Sequence, residues 1–176
     1  MDNTTMKIER FVSVAMILDD VVTSRFEAYL KELQLYLDQR YSDYEIIIID
    51  QNSKPFPFPD PVKENILETI SSIKWISLSF PVATDIALGA GIENAIGDFV
   101  LLIRPNIDPI KVIEDMVEES FNGHDVIIGI AEHPRTMGYK IARKLSNKLL
   151  RSINYHIPKN ATPVRCLSRR AINTVL

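Results

Sequence analysis

Three polar clusters carry the side chains of this chain best suited to chemistry, and each follows a short apolar run. They are Asp19-Asp20, Asp50-Gln51-Asn52-Ser53 and Arg104-Pro105-Asn106-Ile107-Asp108. A carboxylate followed by Asn and Ser can hydrogen-bond a ribose or the edge of a base. The same spacing suits an Asx-type turn leaving a strand, in which Asp50 and Ser53 satisfy backbone groups. From spacing alone both readings stand. Charge adds a second signal. The first 132 residues hold all 23 Asp and Glu and 10 of the 20 Lys and Arg, a formal charge of −13. The last 44 hold the other 10 basic residues and no acid, a charge of +10. Such a block suits an anionic partner, whether phosphates, a nucleotide or an anionic membrane surface; the plain alternative is a solvated basic helix face.

The elements that must position these clusters follow from hydrophobic periodicity. Five apolar runs, rich in β-branched residues, cover 11–18, 44–50, 74–80, 98–103 and 125–130. Ile46-Ile47-Ile48-Ile49 does not alternate with polar residues, which predicts a strand buried on both faces. Helical patterns lie between the runs. Residues 23–41 place Phe26, Tyr29, Leu30, Leu33, Leu35, Tyr36 and Leu37 on a broad apolar side, and shorter helices cover 61–72, 83–96 and 110–121. Alternating strands and helices predict an α/β fold of three layers, with a mainly parallel sheet between helices. Ligands of such sheets bind outside the carboxyl ends of the strands. The three clusters end strands 1, 2 and 4, so they converge on one rim.

Other segments carry weaker signals. Residues 54–61 have proline at every second position, with Phe56 and Phe58 between; this is an extended segment, either a docking strip or a stiff loop whose Phe side chains tuck onto the domain. Residues 138–155 form a basic amphipathic helix, with Ile141, Ala142, Leu145, Leu149 and Ile153 on one face. Residues 157–165 are turn-rich. Ser168-Arg169-Arg170 then opens a final helix with Ser168 as N-cap. Two Arg there oppose the helix dipole, so they meet either an anion or solvent.

Length and composition set the bounds. At 176 residues, 46% hydrophobic and 24% charged, the chain reads as one globular domain. It has no run of 18 apolar residues, and residues 1–10 lack a signal-peptide core. A single cysteine, Cys166, excludes an internal disulfide and fits a reducing cytoplasm. As a nucleophile it lacks a base, since His156 stands in no pattern with it. Nucleic acid is disfavoured as a partner: the pI is about 5.6, and neither a binding motif nor an aromatic platform is present.

The order of several motifs carries a resemblance. A first strand holds Ser13-Val14-Ala15-Met16-Ile17, and a second ends in Asp50-Gln51-Asn52-Ser53 where relatives have Asp-Asp-Gly-Ser. Small residues precede Gly97-Asp98, and Asp125-Val126-Ile127-Ile128-Gly129 follows. Arg143-Lys144-Leu145-Ser146-Asn147-Lys148-Leu149 and Ile157-Pro158-Lys159-Asn160-Ala161, continued by Val164-Arg165 and Ser168-Arg169-Arg170, complete the series. Over about residues 10–176 the chain resembles the family 2 glycosyltransferases of the GT-A fold, above all the polyprenyl-phosphate and dolichol-phosphate sugar transferases. Many relatives continue into membrane-associated helices, and this sequence ends inside what reads as its last helix.

The resemblance implies a Rossmann-like, nucleotide-sugar-binding fold. One glycosyltransferase-like domain spans 1–176, with a nucleotide-binding part at 10–130 and a basic C-terminal part at 131–176. It implies transfer of a sugar from a UDP- or GDP-sugar to polyprenyl phosphate or a growing glycan, as in polysaccharide or cell-envelope biosynthesis, by a cytoplasmic protein peripheral at the inner membrane face. By that resemblance Asp50, Ser53 and Asp20 contact the nucleotide, and Arg104, Arg143, Lys144, Arg165 and Arg169 contact phosphates. Mg²⁺ or Mn²⁺ would sit at an Asp-x-Asp motif. That motif falls here on Ile103-Arg104-Pro105 or Arg104-Pro105-Asn106, leaving Asp108 as the one carboxylate close by. A single carboxylate is a poor site for a hard cation. Other motifs depart as well: Gln51 replaces the second Asp of Asp-Asp-Gly-Ser, and Pro163 stands where relatives have an acidic residue. Two readings follow. In one, a metal-free transferase uses Arg104 in the place of the cation. In the other, a degenerate domain serves as scaffold or regulatory partner for an active transferase at the membrane surface. Neither reading identifies a catalytic base, and a lipid-phosphate acceptor, already anionic, needs none.

Overall fold

Strand and helix alternate from the first described residues onward. A computed structural model describes residues 7–18, 23–52, 58–105, 107–131, 146 and 160–175. The elements are β1 (Ile8–Ile17), α1 (Thr23–Arg40), β2 (Tyr41–Asp50), α2 (Asp60–Thr69), β3 (Ile73–Ser77), α3 (Thr84–Asn94), β4 (Phe99–Leu102), α4 (Val112–Phe121), β5 (Val126–Ile130), β6 (Ala161–Ser168) and α5 (Arg169–Val175). Two compact units divide the chain: Met1–Ile127 with Val164–Leu176, and Ile128–Pro163.

The six strands run in the order β3-β2-β1-β4-β6-β5. β1 pairs in parallel with β2 and β4, β2 in parallel with β3, and β4 antiparallel with β6. The central strands are buried on both faces: Val14, Ala15 and Met16, like Ile46 to Ile49, have no solvent exposure. Even-numbered side chains of β1 and β2 pack with Phe26, Leu30 and Leu33 of α1, Ile66 of α2, and Ile113 and Val117 of α4. Odd-numbered ones pack with Ala87 of α3 and Ile172 of α5. This is the three-layer arrangement read from the sequence. Small residues in α3 let that helix approach closely. A Cβ on Gly91 would lie 3.0 Å from Ile49 Cδ1 and 3.3 Å from Ala15 Cβ.

The structure departs from the sequence reading in three places. Leu35, placed on the apolar side of α1, is 59% exposed. β3 stops at Ser77 rather than continuing to 80. Residues 161–165 of the stretch read as turn-rich belong instead to the strand β6, inserted between β4 and β5. Its alternation, with Val164 and Cys166 buried and Arg165 and Leu167 on the other face, is interrupted in sequence by Pro163. Residues 164–176 group with the first unit. The amphipathic helix expected at 138–155 lies outside the described residues except for Ser146, which is helical and exposed.

Ser168 caps α5 as expected, accepting the Ala171 N–H at 3.1 Å. The two arginines at that helix start meet anionic or dipolar partners of this same chain. Arg170 donates to both Asp125 oxygens. Arg169 donates to the carbonyls of Ala95 and Gly97. No helix among the described residues is long and apolar enough to cross a membrane.

Candidate functional site

Strand registers decide which predicted residues meet. Ile17 lies opposite Ile49, Asp50 opposite Ser77, and Leu102 opposite Arg165. Asp50, Arg104, Asp108 and Arg165 therefore share the rim at the carboxyl ends of the parallel strands. Arg169 does not. β6 runs antiparallel, with Ser168 opposite Phe99 at the amino end of β4. The sequence reading of Arg169 as a phosphate contact thus meets a side chain on the opposite rim, where it caps carbonyls at the end of α3. Asp20, Ser53, Arg143 and Lys144 lie outside the described residues.

At the end of β2 the carboxylate of Asp50 is held at both oxygens. Oδ1 accepts the Asn52 backbone N–H at 2.8 Å, and Oδ2 accepts Trp75 Nε1–H at 3.3 Å. Asn52 sits in the left-handed region with φ 47°, which Asn tolerates better than most residues. Gln51 points to the other face. It is buried, and its Oε1 accepts the Val82 N–H at 2.9 Å.

Residues 104–108 close one helical turn at the end of β4, with Asp108 N–H donating to the Arg104 carbonyl at 3.1 Å. The Asp108 carboxylate, 8% exposed, accepts three donors from one residue: Arg104 N at 2.7 Å, Nε at 3.2 Å and Nη2 at 2.8 Å. These hydrogen bonds raise the already high pKa of the Arg104 guanidinium, which stays charged at any working pH. Its side chain is 40% exposed, and Nη1 makes no hydrogen bond among the described residues. Nearby, burial first and the Asp108 charge second push the Tyr29 phenol above its ordinary value. The Tyr29 hydroxyl is buried without a partner among the described residues.

These residues do not fit a divalent cation. The Asp108 carboxylate already accepts three hydrogen bonds from Arg104. Among the described residues no group of three His, Cys, Asp or Glu side chains is arranged to hold a metal. A groove of about 450 Å³, lined by Glu9, Arg10, Phe11, Ser42, Asp43 and Asp98, opens at the amino ends of the strands, away from these residues.

Sequence reasoning missed Trp75 and the fastening of Gln51. Trp75 had a findable signal. Once β2 and β3 are paired in parallel with Ile48 opposite Trp75, Asp50 lies two residues further on the same face.

No family model matches the chain. An uncharacterized glycosyltransferase of Synechocystis sp. is 27% identical over 139 residues, covering 75% of this chain and 42% of that protein. Among solved structures, a mannosyltransferase of Pyrobaculum calidifontis, in complex with GDP-Man and Mn²⁺, superposes with a TM-score of 0.63 at 14% identity. It covers 98% of this chain and 48% of that one. Glucosyl-3-phosphoglycerate synthase of Mycobacterium tuberculosis, in complex with Mg²⁺ and UDP, gives 0.58 at 13% identity, covering 92% and 57%. TarS of S. aureus gives 0.54 at 15% identity, covering 93% and 47%. The chain spans less than half the length of the curated relative it matches. Its described architecture is that of the GT-A glycosyltransferases.

Proposed function

We propose that the chain binds a UDP- or GDP-linked sugar at the carboxyl rim of β2 and β4 and serves glycosyl transfer without a cation on an Asp-x-Asp motif. The observation that carries this reading is Arg104. Its guanidinium is fixed at the end of the central strand β4 by Asp108, and Nη1 is left free of that ion pair. A permanent planar charge held in one orientation is suited to the departing diphosphate. Asp50 serves the nucleoside side of the same rim. The acceptor is polyprenyl phosphate or a growing glycan; in the first case its oxygen is already anionic and no general base is required. The charge of +10 over the last 44 residues suits a cytoplasmic protein held peripherally at an anionic membrane face. The kinds of ligand in the neighbours' complexes, GDP-Man and UDP, agree with a nucleotide-sugar donor.

A second reading has specific support of its own. Asp50 and Asp108 have their oxygens occupied, and Gln51 is fastened to Val82. A rim satisfied internally suits a degenerate domain acting as scaffold or regulatory partner. Calorimetric titration of UDP, GDP and their sugars, with Mn²⁺ and then with EDTA, separates the two. Binding that survives EDTA and weakens in Arg104→Ala supports the metal-free transferase. Binding that requires Mn²⁺ overturns the metal-free assignment. No binding in either condition favours the partner domain.

A further inference from the structure

Trp75 connects two parts of the rim that are separated in sequence. It is the single tryptophan of the chain, half-buried on β3. Its Nε1–H donates to Asp50 Oδ2 at 3.3 Å. Its ring packs on Phe58 with centroids 5.4 Å apart and planes at 50°. Phe58 in turn meets Phe26 of α1 edge-on at 5.9 Å, and Lys63 Nζ of α2 lies 5.0 Å from the Trp75 ring centroid. Asp50 precedes the Pro-rich segment and Phe58 is near its end. One indole therefore holds the described residues on both sides of residues 53–57, one by a hydrogen bond and one by ring packing. A carboxylate bound at one oxygen can rotate about its terminal torsion, which is a broad, soft one. With Asn52 N–H on Oδ1 and Trp75 on Oδ2, the carboxylate plane is set.

Resting on the nucleotide-sugar reading above, we infer that Trp75 is the positioning residue for nucleoside recognition: it orients the Asp50 carboxylate and anchors Phe58 without itself touching the nucleotide. Phe58 and Lys63 Nζ already lie against the ring, so the indole is engaged by contacts within the chain. The phosphate half of the site, built on Arg104, is independent of it.

The test uses the full chain and its Trp75→Phe, Asp50→Ala and double variants, each checked by circular dichroism and melting. Calorimetry measures UDP, GDP and pyrophosphate. Phenylalanine keeps a ring against Phe58 and removes the N–H. Trp75→Phe is expected to weaken nucleoside diphosphate binding about tenfold, the scale of one lost hydrogen bond. It leaves pyrophosphate unchanged and adds no loss in the Asp50→Ala background. Unchanged nucleotide binding, an equal loss for pyrophosphate, or an additive loss in the double variant each overturn the inference alone. Failure of the unmodified chain to bind any nucleoside diphosphate overturns it together with the functional reading. If the Phe variant does not fold, tryptophan emission of the unmodified chain decides. UDP or GDP must change it while pyrophosphate does not, and a silent tryptophan at calorimetric saturation overturns the assignment.

Discussion

Replacing Arg104 with alanine tests structure and function in one experiment. Asp108 keeps one donor, the residue 104 backbone N–H, and loses Nε and Nη2. Stranding a fully buried charge costs about 3–5 kcal/mol, whereas exposed ion pairs contribute at most about 1 kcal/mol. Asp108 is 8% exposed but the Arg104 side chain is 40% exposed, so water screens the pair and the expected loss is about 1–2 kcal/mol. For a chain of this size that lowers the melting temperature by about 2–8 °C. Removing Asp108 as well, in an Arg104→Ala/Asp108→Ala chain, abolishes the stranded charge and recovers part of the loss. Binding must respond differently. Arg104→Ala weakens pyrophosphate and nucleoside diphosphates by about tenfold or more, because a charge-assisted bond is lost. Asp108→Ala removes a competing anion but also frees the guanidinium from its fixed orientation, so it weakens binding less than Arg104→Ala does. Calorimetry and thermal melts on the three variants read both effects. If Arg104→Ala melts lower yet binds diphosphate like the unmodified chain, the ion pair is a strut of the 104–108 turn, and the anion site lies elsewhere.

Three further outcomes follow from described contacts. A Cβ on Gly97 would stand 2.6 Å from Ser13 Oγ, 2.7 Å from Ser13 N and 2.8 Å from the Phe11 carbonyl. Two of these are backbone atoms that no rotamer change can move, so Gly97→Ala should cost about 3 kcal/mol, and a denaturant midpoint equal to the unmodified chain would refute the packing. Arg170 first and Ser168 second hold the Asp125 carboxyl below its ordinary value of 3.8. A lowered folded-state pKa gives stability that is complete above the ordinary value and lost as pH falls through the lowered one. The melting difference between the unmodified chain and Asp125→Asn should therefore hold constant near neutrality and shrink below about pH 3.8, and a difference independent of pH would refute the pairing. Burial pushes the Cys166 thiol up to about 11, so a thiol reagent in mildly alkaline buffer should label it only after unfolding. Rapid labelling of the native chain would contradict its burial on β6 against Ser120 of α4.

The fold was legible where burial alone dictates pattern. Ile46 to Ile49 can be an uninterrupted apolar run only because helices cover both faces of β2, and the spacing of Phe26, Leu30, Leu33 and Leu37 states which face of α1 meets the sheet. β6 was illegible because its core positions, Val164 and Cys166, are few, and Pro163 with the preceding turn residues reads as loop. With β6 missed, its antiparallel direction was missed, and direction is what sends Arg169 to the amino rim and Arg165 to the carboxyl rim. The turn chemistry at Asp50 was legible as one of two readings. The Asx contact to Asn52 is present, and a hydrogen-bonded carboxylate with remaining lone pairs can still accept from a ligand. The Arg104–Asp108 pair was not legible, since a spacing of four outside a recognised helix does not announce a closed turn.

Charge at the rim ties the described core to the basic part of the sequence. Asp50 and Asp108 carry negative charge there, Arg104 and Arg165 positive charge, and Lys63, bonded to Ser77 Oγ opposite Asp50, adds one more cation. A nucleoside diphosphate is a polyanion, and a rim so nearly balanced offers it orientation but little net attraction. If nucleotide binds here without a divalent ion, the missing positive charge must come from outside this set. Of the ten basic residues after position 132, Arg165 is already in the set, and Arg169 and Arg170 pair with the Gly97 carbonyl and Asp125; the remaining seven are the source the sequence offers. Attraction of that kind, spread over many cations in water, is screened within about 8 Å at physiological ionic strength. The fixed Arg104 contact, held by a largely buried carboxylate, is screened less. Affinity for a nucleoside diphosphate should therefore fall steeply with added salt and then level off at a residue of binding that Arg104→Ala removes. A salt-independent affinity would mean that the rim binds by the Arg104 and Asp50 contacts alone, and that the basic block serves some other anion.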